Sequence, residues 1–147
     1  MDPATRHPRT EDFAAWAFET AELIQQRRFD EIDQAALVEE TRGLARSEYN
    51  WLRRQMWRLL FYLLKWEYQT DKRSVPWEVR ILRARHEIER VLKYSPSLRL
   101  KIATEIIGSV WQRARKRITW EMGLYTPPPE TCPWDRDTQI LRKGWLP

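Results

Sequence analysis

The feature that most constrains the fold is one long segment with helical periodicity, from about Gln34 to Tyr68. Apolar and aromatic side chains recur there at steps of three and four, which is typical of one face of an α-helix. The positions are Val38, Thr41, Ala45, Tyr49, Leu52, Met56, Leu59, Leu63 and Trp66. A helix of this length reaches ~50 Å, more than a compact domain of this size spans. The spacing therefore predicts a helix that either bends near Gly43 or pairs with a second copy.

The second half of this helix is apolar on nearly every face. From Met56 to Leu64 the chain runs Met-Trp-Arg-Leu-Leu-Phe-Tyr-Leu-Leu. A helix that is apolar all round has to be covered on several sides. We therefore expect this segment to be the centre of the fold.

One shorter helix is predicted before the long helix, and another after it. Thr10 is placed to cap the first helix, which runs from about Glu11 to Gln26. Ser74 is placed to cap the third, and Pro76 lies in its first turn, where proline is tolerated.

A fourth helix is predicted to begin with Ser95 as its N-cap and Pro96 at its first position, and to end at Gly123. Residues 124–147 form a proline-rich tail in which a short helix follows Asp135. Because no strand pattern occurs, the sequence predicts an all-α bundle of four main helices. We expect a single domain, 1–147, with residues 1–10 flexible.

Charge is distributed unevenly along the chain. Residues 1–50 carry 6 basic and 11 acidic side chains, whereas residues 51–120 carry 17 basic and 6 acidic ones. One interpretation is that the acidic helices cover the basic ones, within a chain or across a dimer. The other is that a basic face stays open for nucleic acid.

Composition and single features indicate the compartment. With 42% apolar and 32% charged residues, the chain is too apolar for disorder and too charged for a membrane protein. Its longest apolar run, Leu59 to Leu64, is far shorter than the ~20 residues of a membrane span. The N-terminus lacks a secretory signal, and the lone Cys132 fits a reducing compartment. We expect a cytoplasmic protein with no membrane partner.

Candidate catalytic and metal-binding residues are few. His7 and His86 are the only histidines, and Arg83 stands where a di-iron motif would need a glutamate. On the third helix His86 is expected to face solvent. Cys132 has no histidine placed to activate it, so we expect a small, buried residue that fixes the tail. The sequence therefore predicts no catalytic residue, metal or cofactor and favours a non-enzymatic protein.

Short segments along most of the chain, from about Asp12 to Leu141, resemble a known family. They are Arg28-Phe29-Asp30-Glu31-Ile32-Asp33, Glu39-Glu40, Ser47-Glu48, Leu63-Leu64-Lys65-Trp66, Tyr68-Gln69, Arg73-Ser74, Trp77, Ser95-Pro96-Ser97-Leu98-Arg99, Glu121-Met122-Gly123-Leu124 and Glu130-Thr131-Cys132-Pro133-Trp134. In this order and spacing they resemble the domain-of-unknown-function family 29, common in bacteria and cyanobacteria. The resemblance implies an all-helical fold, no settled activity and no catalytic residues.

Two positions depart from the family pattern. The family usually has a histidine just before the Leu-Leu-Lys-Trp segment, where this chain has Tyr62. The family's glycine after its Glu-Glu segment is displaced, so that Gly43 comes two positions early and Ala45 takes its place. We therefore expect no metal site that depends on that histidine.

The polar residues that match the family form the first candidate site. They are Glu40, Glu48, Lys65, Gln69, Arg73 and Arg80. Lys65 and Gln69 are four residues apart and hence neighbours on one helix face. Such a cluster is either a functional site at one end of the bundle or a buried charge network that fixes helix register.

The second candidate is a nucleic-acid surface. Its residues would be Arg53, Arg54, Arg83, Arg113, Arg115 and Lys116, with nine tryptophans available for stacking. Against this, the basic residues look scattered, and Arg83, Glu87 and Arg90 alternate as in a salt-bridge ladder. On the fourth helix Arg115 and Lys116 are expected to face outward. The sequence thus favours a protein–protein interaction or regulatory module with an unidentified protein partner, and homo-oligomerisation is open. A basic nucleic-acid-binding module is the alternative.

Overall fold

The computed structural model describes residues 7–147, and in this range the regular structure is entirely helical. The prediction of an all-α fold with four main helices is confirmed. The described chain divides into two compact units, one ending at Arg46 and the other running from Ser47 to Pro147. The predicted flexibility of residues 1–10 falls partly on residues 1–6, which lie outside the described range.

The first unit contains helix α1, Phe13–Gln25, followed by a 3-10 turn, Phe29–Glu31. Asp12 caps α1, because its Oδ1 accepts a hydrogen bond from the Ala15 backbone N–H at 2.9 Å. The prediction that Thr10 is the cap is wrong. The chain instead turns at Pro8, whose carbonyl accepts the backbone N–H groups of Glu11 and Asp12, so the helix begins later.

Helix α2 runs over Gln34–Tyr68, as the periodicity predicts. Asp33 caps it by accepting the Ala36 N–H at 3.0 Å. Residues 34–46 belong to the first unit and the remainder to the second. Within the second unit, the α2 residues Leu52, Met56, Leu59, Leu60, Leu63 and Leu64 are all completely buried. The expectation that this segment forms the centre of the core is confirmed for that unit.

Helix α3, Val75–Tyr94, packs one apolar stripe into the same core. The stripe consists of Ile81, Ala84, Ile88, Val91 and Leu92. Pro76 lies in the first turn as predicted, and Ser74 precedes the helix without a capping bond from its side chain.

The fourth predicted helix is one helical run with a π-helical segment inside it. It consists of α4, Leu98–Lys101, the π segment Ile102–Ile106, and α5, Ile107–Met122. The predicted start at Ser95 and Pro96 is wrong, because the carbonyls of these two residues close a turn with the N–H groups of Leu98 and Arg99. The predicted end at Gly123 is confirmed, with a left-handed φ of 60° that glycine tolerates.

The tail is fastened to the second unit by hydrogen bonds from α5. The Trp111 Nε1–H donates to the Pro129 carbonyl at 2.9 Å, and Arg115 Nε donates to the Pro128 carbonyl at 2.6 Å. The predicted short helix after Asp135 is a π-helical turn, Arg136–Ile140, capped by that residue. The tail therefore packs against the second unit, and its Ile140 is buried in the core of that unit.

A buried arginine of α3 also holds the tail. Arg85 is 5% exposed and donates to the carbonyls of Ile140 and Trp145, each at 2.8 Å. Burial lowers the pKa of Arg85 to about 10, so the guanidinium remains charged at neutral pH. Backbone carbonyl dipoles take the place of a carboxylate partner here.

Candidate functional site

A groove between α2 and α5 of the second unit carries three arginines. We call it the arginine groove; it encloses about 490 Å³ and is lined by Ser47, Asn50, Arg53, Arg54, Trp57 and Arg113. None of the lining residues is acidic. The groove is therefore a concentrated positive surface.

A second cavity lies between α2 and α3 and shares Trp57 with the arginine groove. We call it the aromatic pocket; it encloses about 620 Å³, which is within the range of small-molecule sites. Its polar and aromatic lining consists of Gln55, Trp57, Arg58, Phe61, Tyr62, Arg80 and Arg83, with no acidic residue. The two cavities thus adjoin at one tryptophan.

Six arginines line the two cavities and lack carboxylate partners. They are Arg53, Arg54, Arg58, Arg80, Arg83 and Arg113. Within residues 7–147, no ion pair or hydrogen bond reaches any of these guanidinium groups. Seven other basic side chains of the second unit do form ion pairs with acidic residues. The basic side chains of this unit that pair with a carboxylate therefore lie outside the two cavities.

Aromatic rings support several of these charges. The Arg54 guanidinium lies 5.1 Å from the centre of the Trp51 ring, and that of Arg80 lies 5.4 Å from the Tyr62 ring. The Trp57 and Phe61 rings stack with centroids 5.1 Å apart and planes 7° from parallel. Such contacts orient the guanidinium groups without neutralising their charge.

Gln55 is an unusual lining residue of the aromatic pocket. Its side chain is 2% exposed, and within the described chain its Nε2 has no hydrogen-bond partner. Leaving a buried donor unsatisfied costs about 1–3 kcal/mol, so such groups are rare in folded proteins. Gln55 thus places an unsatisfied, buried amide at the wall of the aromatic pocket.

The members of the predicted polar cluster belong to both units. Glu40 lies in the first unit, where Arg9 binds it at 2.9 Å. In the second unit, Glu48 is exposed and Gln69 is buried. Arg73 donates to the Trp66 carbonyl at 2.8 Å. Among the described members from the second unit, no side-chain hydrogen bond or ion pair joins two of them.

Two members of that set have roles the sequence does not indicate. Lys65 pairs at 2.6 Å with Glu121, which the prediction does not include, and its Nζ lies 5.1 Å from the centre of the Trp77 ring. Arg80 lines the aromatic pocket. Lys65 therefore joins α2 to α5, and Arg80 belongs with the unpaired arginines.

Four of the six predicted nucleic-acid contacts line one or the other of the two cavities. Arg53, Arg54 and Arg113 line the arginine groove, and Arg83 lines the aromatic pocket. The expectation that the basic residues are scattered is therefore wrong for the three that share the groove. Lys116 is exposed and lines neither cavity.

Arg115 differs from its prediction. It is half-buried, and its guanidinium binds the Pro128 carbonyl of the tail. The predicted salt-bridge ladder on α3 is half right, because Arg90 pairs with Glu87 at 3.0 Å whereas Arg83 has no acidic partner in the described chain.

The prediction misses Arg58 as a member of the site. Arg54 and Arg58 are four residues apart and flank Trp57, a spacing that places all three on neighbouring positions of α2. That pattern is present in the sequence. The sequence does not show that α3 and α5 pack near these positions of α2.

The described residues contain no group of three or more His, Cys, Asp or Glu side chains that could hold a metal ion. His86 is exposed on α3, as predicted. Cys132 is half-buried and packs against the core, and burial raises the pKa of its thiol. In residues 7–147, no helix has the length and apolarity needed to cross a bilayer.

The fold and the site define a class: an all-α protein with a basic, aromatic-lined surface. The sequence model of one family, Domain of unknown function DUF29, matches residues 10–146. The chain belongs to this family, as the resemblance implies. No curated protein and no solved structure matches the chain.

Proposed function

We propose that this protein is a non-enzymatic binding module that holds nucleic acid in the arginine groove and the aromatic pocket. The observation that carries the proposal is the set of six arginines without carboxylate partners. Sequence patterns favour a protein partner, but the grouping of these arginines supports the nucleic-acid alternative.

Unpaired arginines beside aromatic rings suit a polyanion with planar bases. A guanidinium group presents its donors in a fork that matches phosphate geometry, and it stacks on aromatic planes. Gathering six such charges without an acidic residue among the lining side chains raises the local positive potential. Phosphate contacts of this kind supply most of the affinity in non-specific nucleic-acid binding.

The test compares two variants that lose the same charge. Arg53, Arg54 and Arg113 are changed to glutamine in one, and Lys72, Lys93 and Arg142 in the other. The second three are exposed and make no ion pair within the described chain. Affinity for a labelled oligonucleotide is measured by fluorescence anisotropy.

We expect the groove variant to bind about tenfold more weakly than the wild type or worse, and the control variant to change little. Equal losses in both variants would show that only net charge matters. No binding by the wild-type protein at low salt would overturn the proposal.

A second function, self-association through the first unit, is favoured by a different observation. Six large apolar side chains of that unit are well exposed: Phe13, Phe18, Ile24, Phe29, Val38 and Leu44. Phe18 is 77% and Leu44 72% exposed. Exposed apolar side chains are the groups that a homodimer interface buries, and the same surface on a second copy is the occupant we propose.

Light scattering after gel filtration tests self-association. We expect a dimer for the wild type and a monomer when Phe18 and Leu44 are both changed to serine. Leu82→Ser, which removes a 57% exposed leucine from the second unit, is the control that should leave the dimer intact. A monomeric wild-type protein at all concentrations would contradict this second function.

A further inference from the structure

From the lining of the aromatic pocket we infer that it receives one unstacked base of a single-stranded nucleic acid, while the adjoining arginine groove binds the neighbouring phosphates. This inference rests on the proposed function and narrows its ligand to single strands. Three features of the pocket support it: its aromatic wall, its unpaired arginines and its buried amide.

The aromatic wall offers a stacking surface at the junction of the two cavities. Trp57 is half-buried and lines both of them. Phe61 stacks parallel to the Trp57 ring, and in the described chain no other ring packs against that tryptophan. Phe61 also supports Tyr62 edge-on, with centroids 5.5 Å apart. A base that enters the pocket therefore meets rings already held in place by one another.

The buried amide of Gln55 is a hydrogen-bond donor suited to the edge of a base. Nucleobases carry ring nitrogen and carbonyl acceptors on the edges that face outward once a base is unpaired. Nε2 of Gln55 has no partner and is buried at the pocket wall, so it becomes a donor for such an acceptor when the side chain turns toward the bound base. In a double helix the Watson–Crick edge is occupied by the opposite base, so a duplex does not offer that edge to the pocket.

The arginines place the backbone on both sides of the base. Arg58, Arg80 and Arg83 line the aromatic pocket, and the pocket shares Trp57 with the groove that holds Arg53, Arg54 and Arg113. Phosphates flanking a base bound at Trp57 would thus meet unpaired guanidinium groups in both directions. A free mononucleotide would use only part of this surface.

The experiment distinguishes binding of the bases from binding of the phosphates. The probes are a labelled single-stranded oligonucleotide, an oligonucleotide of equal length whose central residues are abasic, and the corresponding duplex. We expect the base-bearing single strand to bind about tenfold more tightly than the abasic strand, because base stacking is lost in the latter. The duplex should also bind more weakly than the single strand per phosphate.

Trp57→Leu and Gln55→Met locate the effect in the pocket. Trp57→Leu should remove most of the difference in affinity between the base-bearing and abasic strands. Gln55→Met keeps the volume and removes the amide, so it should reduce differences in affinity among the four homopolymers. Thermal unfolding confirms that each variant is folded, and the abasic comparison in the wild type stands even if one is not.

Failure of the base pocket and failure of the proposed function give different results. Equal binding of the base-bearing and abasic strands, with a loss when Arg53, Arg54 and Arg113 are changed, would overturn the base pocket and leave the proposed function standing. No arginine-dependent binding to any probe would overturn both.

Discussion

Arg85 is a buried arginine whose hydrogen bonds go to the backbone of the tail instead of to a carboxylate. Arg85→Leu leaves the carbonyls of Ile140 and Trp145 without this donor, and each unsatisfied buried acceptor costs about 1–3 kcal/mol. We expect the free energy of unfolding in urea to fall by about 3 kcal/mol.

Arg83→Leu is the matched control for Arg85→Leu. It lies two residues away on α3, is exposed and has no hydrogen-bond partner in residues 7–147. Its effect should stay within about 0.5 kcal/mol. Similar losses in the two variants would contradict the anchoring role of Arg85.

Cys132 tests the burial of the tail in a different way. Burial is the main cause of the raised pKa of this thiol, and the thiolate is the form that reacts. In the folded protein we expect slow reaction with a disulfide reagent at pH 8, and an ordinary rate after unfolding in urea. A folded-state rate equal to that of a small free thiol would contradict the packed position of Cys132.

At the residue scale, the sequence predicts which side chains are buried better than it predicts which groups they bind. The exposure of His86 follows from its position relative to the apolar stripe of α3. The burial of Arg85 does not, because nothing local indicates that the tail carbonyls will surround a charged side chain. Arg115 is mispredicted for the same reason, since its partner Pro128 is supplied by the fold of the tail.

The ion pair between Lys65 and Glu121 connects two helices and has a pH signature. The hydrogen bond from Lys65, followed by the charges of Lys65 and Arg117, lowers the pKa of Glu121. A carboxyl whose folded-state pKa is lowered stabilises the fold above its unfolded-state pKa of ~4.3. That stabilisation is lost as the pH falls through the lower folded-state value.

Glu121→Gln should therefore lower the free energy of unfolding by about 1 kcal/mol at pH 7. The difference from the wild type should shrink as the pH falls below the unfolded-state pKa of ~4.3 and through the lower folded-state pKa. Glu130→Gln, at an exposed position, is the control. A difference that persists unchanged in acid would show that the charge of Glu121 does not matter.

At the element scale, long periodic segments are predictable and short polar boundaries are not. The bounds of α2 follow from its apolar spacing and from Asp33, which is the cap in the structure. The start of the fourth helix does not follow, because Ser95 and Ser97 are equally suited to precede a helix. Its π-helical segment, Ile102–Ile106, leaves no local signature that we recognise in the sequence.

At the scale of the whole molecule, the fold class and family follow from the sequence, whereas the candidate site arises from three helices together. Arg58 on α2, Arg80 on α3 and Arg113 on α5 are far apart in the chain and become one site only through packing of the second unit. The charge asymmetry seen in the sequence persists, since residues 47–147 carry 20 basic and 11 acidic side chains.

The salt dependence of oligonucleotide binding tests the central claim most directly. For single strands, the slope of log Kobs against log salt concentration changes by ~0.7 for each phosphate contact. Changing Arg53, Arg54 and Arg113 together to glutamine should reduce the magnitude of the slope by about 2, and the matched change of Lys72, Lys93 and Arg142 should leave it nearly constant. A wild-type slope near zero, or equal reductions in the two variants, would contradict phosphate binding by the arginine groove.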